Sequence, residues 1–130
     1  MSDSLKHGVF SIPEAAQRLT IYIGEADKWQ GRPLYEAIVI KARELHMAGA
    51  TVFRGPMGFG ADSRIHTTKI LRLSEDLPFV IEIIDSADKI ALLRPHLDQM
   101  VGGGLVTLED VQVLIYSPSG TKPSTSKPTQ

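Results

Sequence analysis

The chain of 130 residues contains no cysteine. That excludes a disulfide framework, a thiolate nucleophile and zinc or iron-sulfur sites built on thiolates, and it agrees with a reducing compartment. It also lacks an excess of charge of one sign: 14 Lys and Arg stand against 15 Asp and Glu, for a formal net charge of -1. A general nucleic-acid or anionic-membrane binder would carry a basic surplus, so neither partner is expected. Long apolar runs are missing as well. No stretch approaches the roughly 18 residues of a membrane span, and Met1 to Pro13 has no apolar core of the secretory kind. The expectation is a soluble cytoplasmic protein with no membrane insertion. What is present is ordinary for a folded domain, with 42% hydrophobic and 22% charged residues, and the length suits one compact unit.

Three parts are expected along the chain: an N-terminal extension over 1–18, a folded domain over 19–116 and a disordered tail over 117–130. The tail is built from Ser, Thr, Pro, Lys and Gly, which cannot bury enough surface to offset its ordering entropy. In the extension, Ser11 and Glu14 have the spacing of a capping box, which predicts a short helical turn. Within the domain, Leu19, Ile21 and Ile23 alternate with Thr20 and Tyr22 as in a strand that stops at Gly24. Leu34, Ile38, Ala42 and Leu45 then share one helical face, with Pro33 at the start and Gly49 as the stop. Ala50 to Arg54 and Phe79 to Ile84 read as the next two strands. Lys69 to Leu73 fits a strand continuation or a turn equally well. Ser86 caps a second helix carrying Ile90, Leu93, Leu97 and Met100, which Pro95 should kink or split after Arg94. Leu105 to Leu108 reads as a link, and Val111 to Tyr116 as the last strand.

The order β-α-β-β-α-β predicts an α+β, ferredoxin-like fold: an antiparallel four-stranded sheet with two helices on one face. Two helices leave the second face bare, yet the strands carry apolar residues at both parities: Ile21 and Tyr22, Val80 and Ile81, Val113 and Leu114. The available cover is another copy of the same sheet, so a homo-oligomer is expected.

Two glycine clusters carry the candidate chemistry. The loop Arg54, Gly55, Pro56, Met57, Gly58, Phe59, Gly60 sets glycines and a guanidinium beside a strand end, a composition that suits an anion held by backbone N–H groups. A glycine-rich hairpin explains the same residues. Arg64 and His66 add a fixed and a titratable charge to this loop. Gly102, Gly103 and Gly104 exceed what a helix C-cap requires, which leaves close approach of a ligand or a neighbouring subunit. Trp29 reads as an anchor over the entrance to the first helix. His7, His46, His66 and His96 are scattered, so no metal site is assigned and Glu25 and Asp27 are no more than helpers. No catalytic constellation is visible, and the chain is not expected to be an enzyme.

The strings Leu19 to Trp29, Arg32 to Val39, Gly49 to Gly55, Gly58 to Gly60, Ile65-His66 and Leu73 to Pro78 resemble the bacterial and archaeal family called domain of unknown function 190. Proteins of that family resemble PII signalling proteins. The resemblance implies a homotrimer of ferredoxin-like subunits with an adenine nucleotide as effector in clefts between subunits and no obligatory cofactor. It sets residues 55–67 in the place of the effector loop and Gly102 to Gly104 in that of the phosphate loop. PII proteins carry basic residues near the latter, whereas Gly102 to Asp110 holds no Lys or Arg, so Arg54, Arg64 or Lys69 would supply the cation. The resemblance further implies a membrane transporter or channel as regulated partner. Two alternatives are a ligand-free module docking on such a transporter and a trimer that responds to divalent metals.

Overall fold

The computed structural model describes residues 12–58 and 77–118. In chain order the elements are β1 (Ala15–Gly24), β2 (Lys28–Trp29), β3 (Arg32–Pro33), α1 (Leu34–Glu44), β4 (Thr51–Arg54), β5 (Pro78–Asp85), α2 (Ala87–Met100) and β6 (Leu105–Gln112). β4, β5, β1 and β6 form one four-stranded sheet in that spatial order, and every neighbouring pair is antiparallel. Setting aside the two-residue strands β2 and β3, this is the β-α-β-β-α-β order read from the sequence. Among the described residues no helix is long and apolar enough to cross a membrane.

The period-two pattern decides what the sheet buries. Leu19, Ile21 and Ile23 of β1 lie opposite Ile83, Ile81 and Phe79 of β5, and all six are sealed under α1 and α2. Burying each of the larger side chains contributes about 1.5–3 kcal/mol. α1 closes this core with Leu34, Ala37, Ile38 and Ala42, and α2 with Ile90, Leu93, Leu97 and Met100. Tyr35 sets its ring edge-on to Phe79 at 4.5 Å between centroids, which fixes the start of α1 over the start of β5. Asp85 is fully buried at the end of β5, where its two carboxylate oxygens accept from Ala48 N at 2.8 Å and Ser86 N at 2.7 Å. The carboxylate thereby joins the turn after α1 to the start of α2.

Several sequence expectations are corrected. The last strand is Leu105–Gln112, not Val111 to Tyr116. Its extent is set by its partner, since Leu105 faces Tyr22 and Gln112 faces Ala15, where β1 begins. Leu105 to Leu108 is strand and not a link, and Glu109 and Asp110 are edge-strand charges: Glu109 binds Arg18, and Gln17 donates to Asp110 at 3.4 Å. Pro95 does not split α2, which is one helix from Ala87 to Met100, because burial of Leu93 and Leu97 on both sides of the proline outweighs the lost backbone bond. Residues 12–14 are irregular and lead into β1 at Ala15, so no helical turn forms there among the described residues. Before α1, β2 and β3 make a hairpin whose two loop residues, Gln30 and Gly31, both have positive φ, as a type I′ turn requires. Trp29 packs from this hairpin against the core, as the anchor reading expects.

α1 ends at Glu44 and is closed by His46, not by Gly49. His46 takes φ of 59°, its N–H donates to Arg43 O, and Met47 N donates to Ala42 O, both at 3.0 Å. This is a Schellman closure with histidine where glycine is usual, and Lys89 Nζ adds a bond to His46 O at 3.0 Å. A left-handed non-glycine residue costs about 1 kcal/mol. His46→Gly is therefore expected to raise the unfolding free energy by about 0.5–1 kcal/mol in a urea titration.

Candidate functional site

Both glycine clusters lie at one end of the sheet, where β1 and β4 finish and β5 and β6 begin. Arg54 is the last residue of β4 and Glu25 follows β1, with the start of β5 between them. Arg54 Nη2 donates to Glu25 Oε1 at 3.1 Å, and both side chains are partly exposed. An ion pair so placed contributes only about 0.2–1 kcal/mol. Beneath it the backbone is pinned twice: Glu25 N donates to Leu77 O at 2.7 Å and Gly55 N to Pro78 O at 2.8 Å. The chain thus leaves and rejoins the sheet at fixed points on either side of residues 56–76.

The glycines at this mouth have a packing reason. A Cβ on Gly55 would lie 2.8 Å, and one on Gly58 3.0 Å, from Cγ of Pro78, and neither residue has positive φ. The start of the loop folds over the proline, a contact no spacing argument shows. Phe59, Gly60, Arg64 and His66 lie outside the described residues. In the second cluster, Gly104 has φ of +144° and lies against Tyr22, where a Cβ would fall 2.6 Å from the carbonyl oxygen. The close approach anticipated there is to the chain's own first strand. Gly102 has open space around it, and Gly103 is exposed.

Beside Gly104, α2 and β6 enclose a groove of about 360 Å³ lined by Leu97, Val106 and Leu108 together with Arg94 and Asp98. Arg94 supplies a cation next to a glycine run that has none of its own. Helical spacing from Arg94 to Leu97 and Asp98 was the available signal, but it acquires meaning only once β6 is known to begin at Leu105. A larger cavity of about 760 Å³ lies at the other end of the sheet, between Ala48, Ile84, Val111 and Tyr116, and touches none of the predicted site residues. There burial, then the nearby Asp85 carboxylate, pushes the Tyr116 phenol above its ordinary value.

The two clusters are not brought together within one subunit. One is on the β4 edge and the other on the β6 edge, separated by three strand spacings of about 4.8 Å, roughly 14 Å. Between them, on the face opposite the helices, an apolar row crosses the whole sheet: Phe53, Val80, Tyr22 and Leu105 are successive cross-strand partners. Phe53 is 51%, Tyr22 43% and Leu105 57% exposed. Behind this row Arg18 donates to Glu109, and that hydrogen bond, followed by the charge itself, raises the guanidinium further above its usual range.

This architecture is the PII-like, ferredoxin-like fold. CPII from Thiomonas intermedia K12, solved bound to ADP and bicarbonate, superposes with a TM-score of 0.58 at 18% identity over 76% of this chain and 88% of that one. It has also been solved with ADP, AMP and bicarbonate. The family described as DUF190, Uncharacterized ACR, matches residues 16–113, and the chain belongs to it. A UPF0166 protein of Aquifex aeolicus is 39% identical over 98 residues, covering 74% of this chain and 90% of that protein. A UPF0166 protein of Methanocaldococcus jannaschii is 33% identical over 99 residues, covering 75% and 91%.

Gly104→Ala is expected to lower the unfolding free energy by about 1–3 kcal/mol, because neither the dihedral nor the Tyr22 carbonyl tolerates a side chain. Gly102→Ala, with open space around it, should change it by about 0.5 kcal/mol or less in the same urea titration.

Proposed function

We propose that this chain is a PII-like signalling protein and not an enzyme: a homotrimer that binds an adenine nucleotide in clefts between subunits and controls a partner through residues 55–67. The observation that carries this reading is the placement of the two candidate half-sites at the same end of the sheet but on opposite edges. One subunit keeps them apart. β4 runs parallel to β1 and β6 runs against it, so β6 of one copy beside β4 of the next continues the antiparallel order and juxtaposes the two halves. Such a contact is heterologous, and it closes into a ring when the rotation allows.

The apolar row through Phe53, Tyr22 and Leu105 supplies a face for the copies to cover. In the composite cleft Arg54 would contribute a cation from the β4 side and Arg94 one from the β6 side, flanking Gly102 to Gly104. The nucleotides in the Thiomonas protein support an adenine nucleotide as the effector class. The regulated partner, by resemblance, is a membrane transporter or channel, approached from the cytoplasm.

Thermal unfolding against ATP, ADP, AMP, cyclic mononucleotides and divalent metals tests this reading. A selective adenine-nucleotide shift is expected, amounting to about 2.7 kcal/mol of stabilisation at 100 times the dissociation constant. Arg54→Ala should weaken that binding about tenfold while leaving the assembly intact, as loss of a charged hydrogen bond implies. A shift with metals alone would make the protein a metal-responsive trimer, and no shift at all would make it a ligand-free docking module.

A further inference from the structure

We propose that Glu25 is an internal counter-anion that competes with the effector's phosphate groups for Arg54. The inference rests on the nucleotide reading above and adds how occupancy reaches the loop. Arg54 ends β4 and Glu25 follows β1, and the two side chains meet across the start of β5, at the mouth between β4 and β5.

The fold does not need the Glu25 side chain. The turn between β1 and β2 is held by other groups: Asp27 Oδ2 accepts from Gly24 N at 3.0 Å, Asp27 N donates to Gly24 O at 3.1 Å, and Asp27 O accepts from Leu34 N at 2.8 Å. Glu25 itself is tied to Leu77 through its backbone N–H, which any residue would provide. Its carboxylate is thus surplus to the turn, and it is spent on the Arg54 guanidinium at the base of the glycine loop.

The pair is also exchangeable. Its side chains are 48% and 28% exposed, for Arg54 and Glu25 respectively, so water and ions reach it. A partly exposed carboxylate holds a guanidinium weakly, whereas a phosphate or diphosphate offers more charge and more acceptor oxygens to the same fork of donors. An anionic effector therefore displaces Glu25, and displacement releases the side-chain tie between the ends of β1 and β4. Ligand charge is in this way converted into loosening at the base of the 55–77 segment.

The experiment is calorimetric titration of the full chain, wild type and Glu25→Gln, with adenosine, AMP and ADP at low salt and at about 1 M salt, where screening falls to about 3 Å. Glu25→Gln should bind ADP about two- to fivefold tighter, AMP by a smaller factor and adenosine unchanged, with the gain lost at high salt. Glu25→Lys should extend the gain in the same order of ligand charge, and circular dichroism checks that both variants fold. Equal or weaker ADP affinity in Glu25→Gln, with the wild type binding ADP, overturns the competition alone. An equal gain for adenosine assigns Glu25 a structural effect and overturns it too. If neither protein binds any of the three ligands, the effector reading falls and this inference with it.

Discussion

Everything in this fold follows from a shortage of cover: two helices can seal only one face of a four-stranded sheet. α1 and α2 close over Leu19, Ile21, Ile81 and Ile83, which are buried to within 2%. On the other face, one residue along each strand, the chain keeps Tyr22, Val80, Phe53 and Leu105 in a single row. At about 25 cal/mol per Å² of apolar surface, leaving such a row in water forgoes several kcal/mol that association would recover. The monomer is in this sense an incomplete object, and the incompleteness has a direction, from the β4 edge to the β6 edge.

The same geometry orders the candidate site. Arg54 with Gly55 and Gly58 sits at one edge, and Gly102 to Gly104 with Arg94 at the other. Gly55 and Gly58 have an intramolecular reason in Pro78 and Gly104 one in the Tyr22 carbonyl, and those at 55 and 58 use no positive φ. The charges are different in kind. Arg54 and Glu25 are not required by the core, and what they gain from each other is small enough for a ligand to contest.

The order of the core elements was legible because apolar periodicity changes with each element, most plainly in Phe79 to Ile84 and in the face of Leu34, Ile38 and Ala42. What misled was local chemistry overruled by partners. Val113, Leu114 and Ile115 look more like a strand than Leu105 to Gln112 does, yet the ladder ends at Ala15 opposite Gln112, and beyond it Val113 N donates to Glu14 O at 2.8 Å. Pro95 looks like a break, yet Leu93 and Leu97 are buried on either side of it. His46 looks like an ordinary helical residue, and only the closure of α1 shows it in the left-handed region. In the site, Gly55, Gly58 and Gly102 to Gly104 stood out by composition. Glu25 and Arg94 did not, because their nearness to those glycines is created by strand order and not by spacing in the chain.

Association through the bare sheet face is the step on which the composite cleft depends. Light scattering on the purified chain at micromolar concentration, beside a Tyr22→Glu variant that places charge in the middle of the apolar row, tests it. Three times the chain mass is expected for the wild type, and a shift toward one chain mass for the variant. A wild-type protein that is monomeric throughout this range would contradict it.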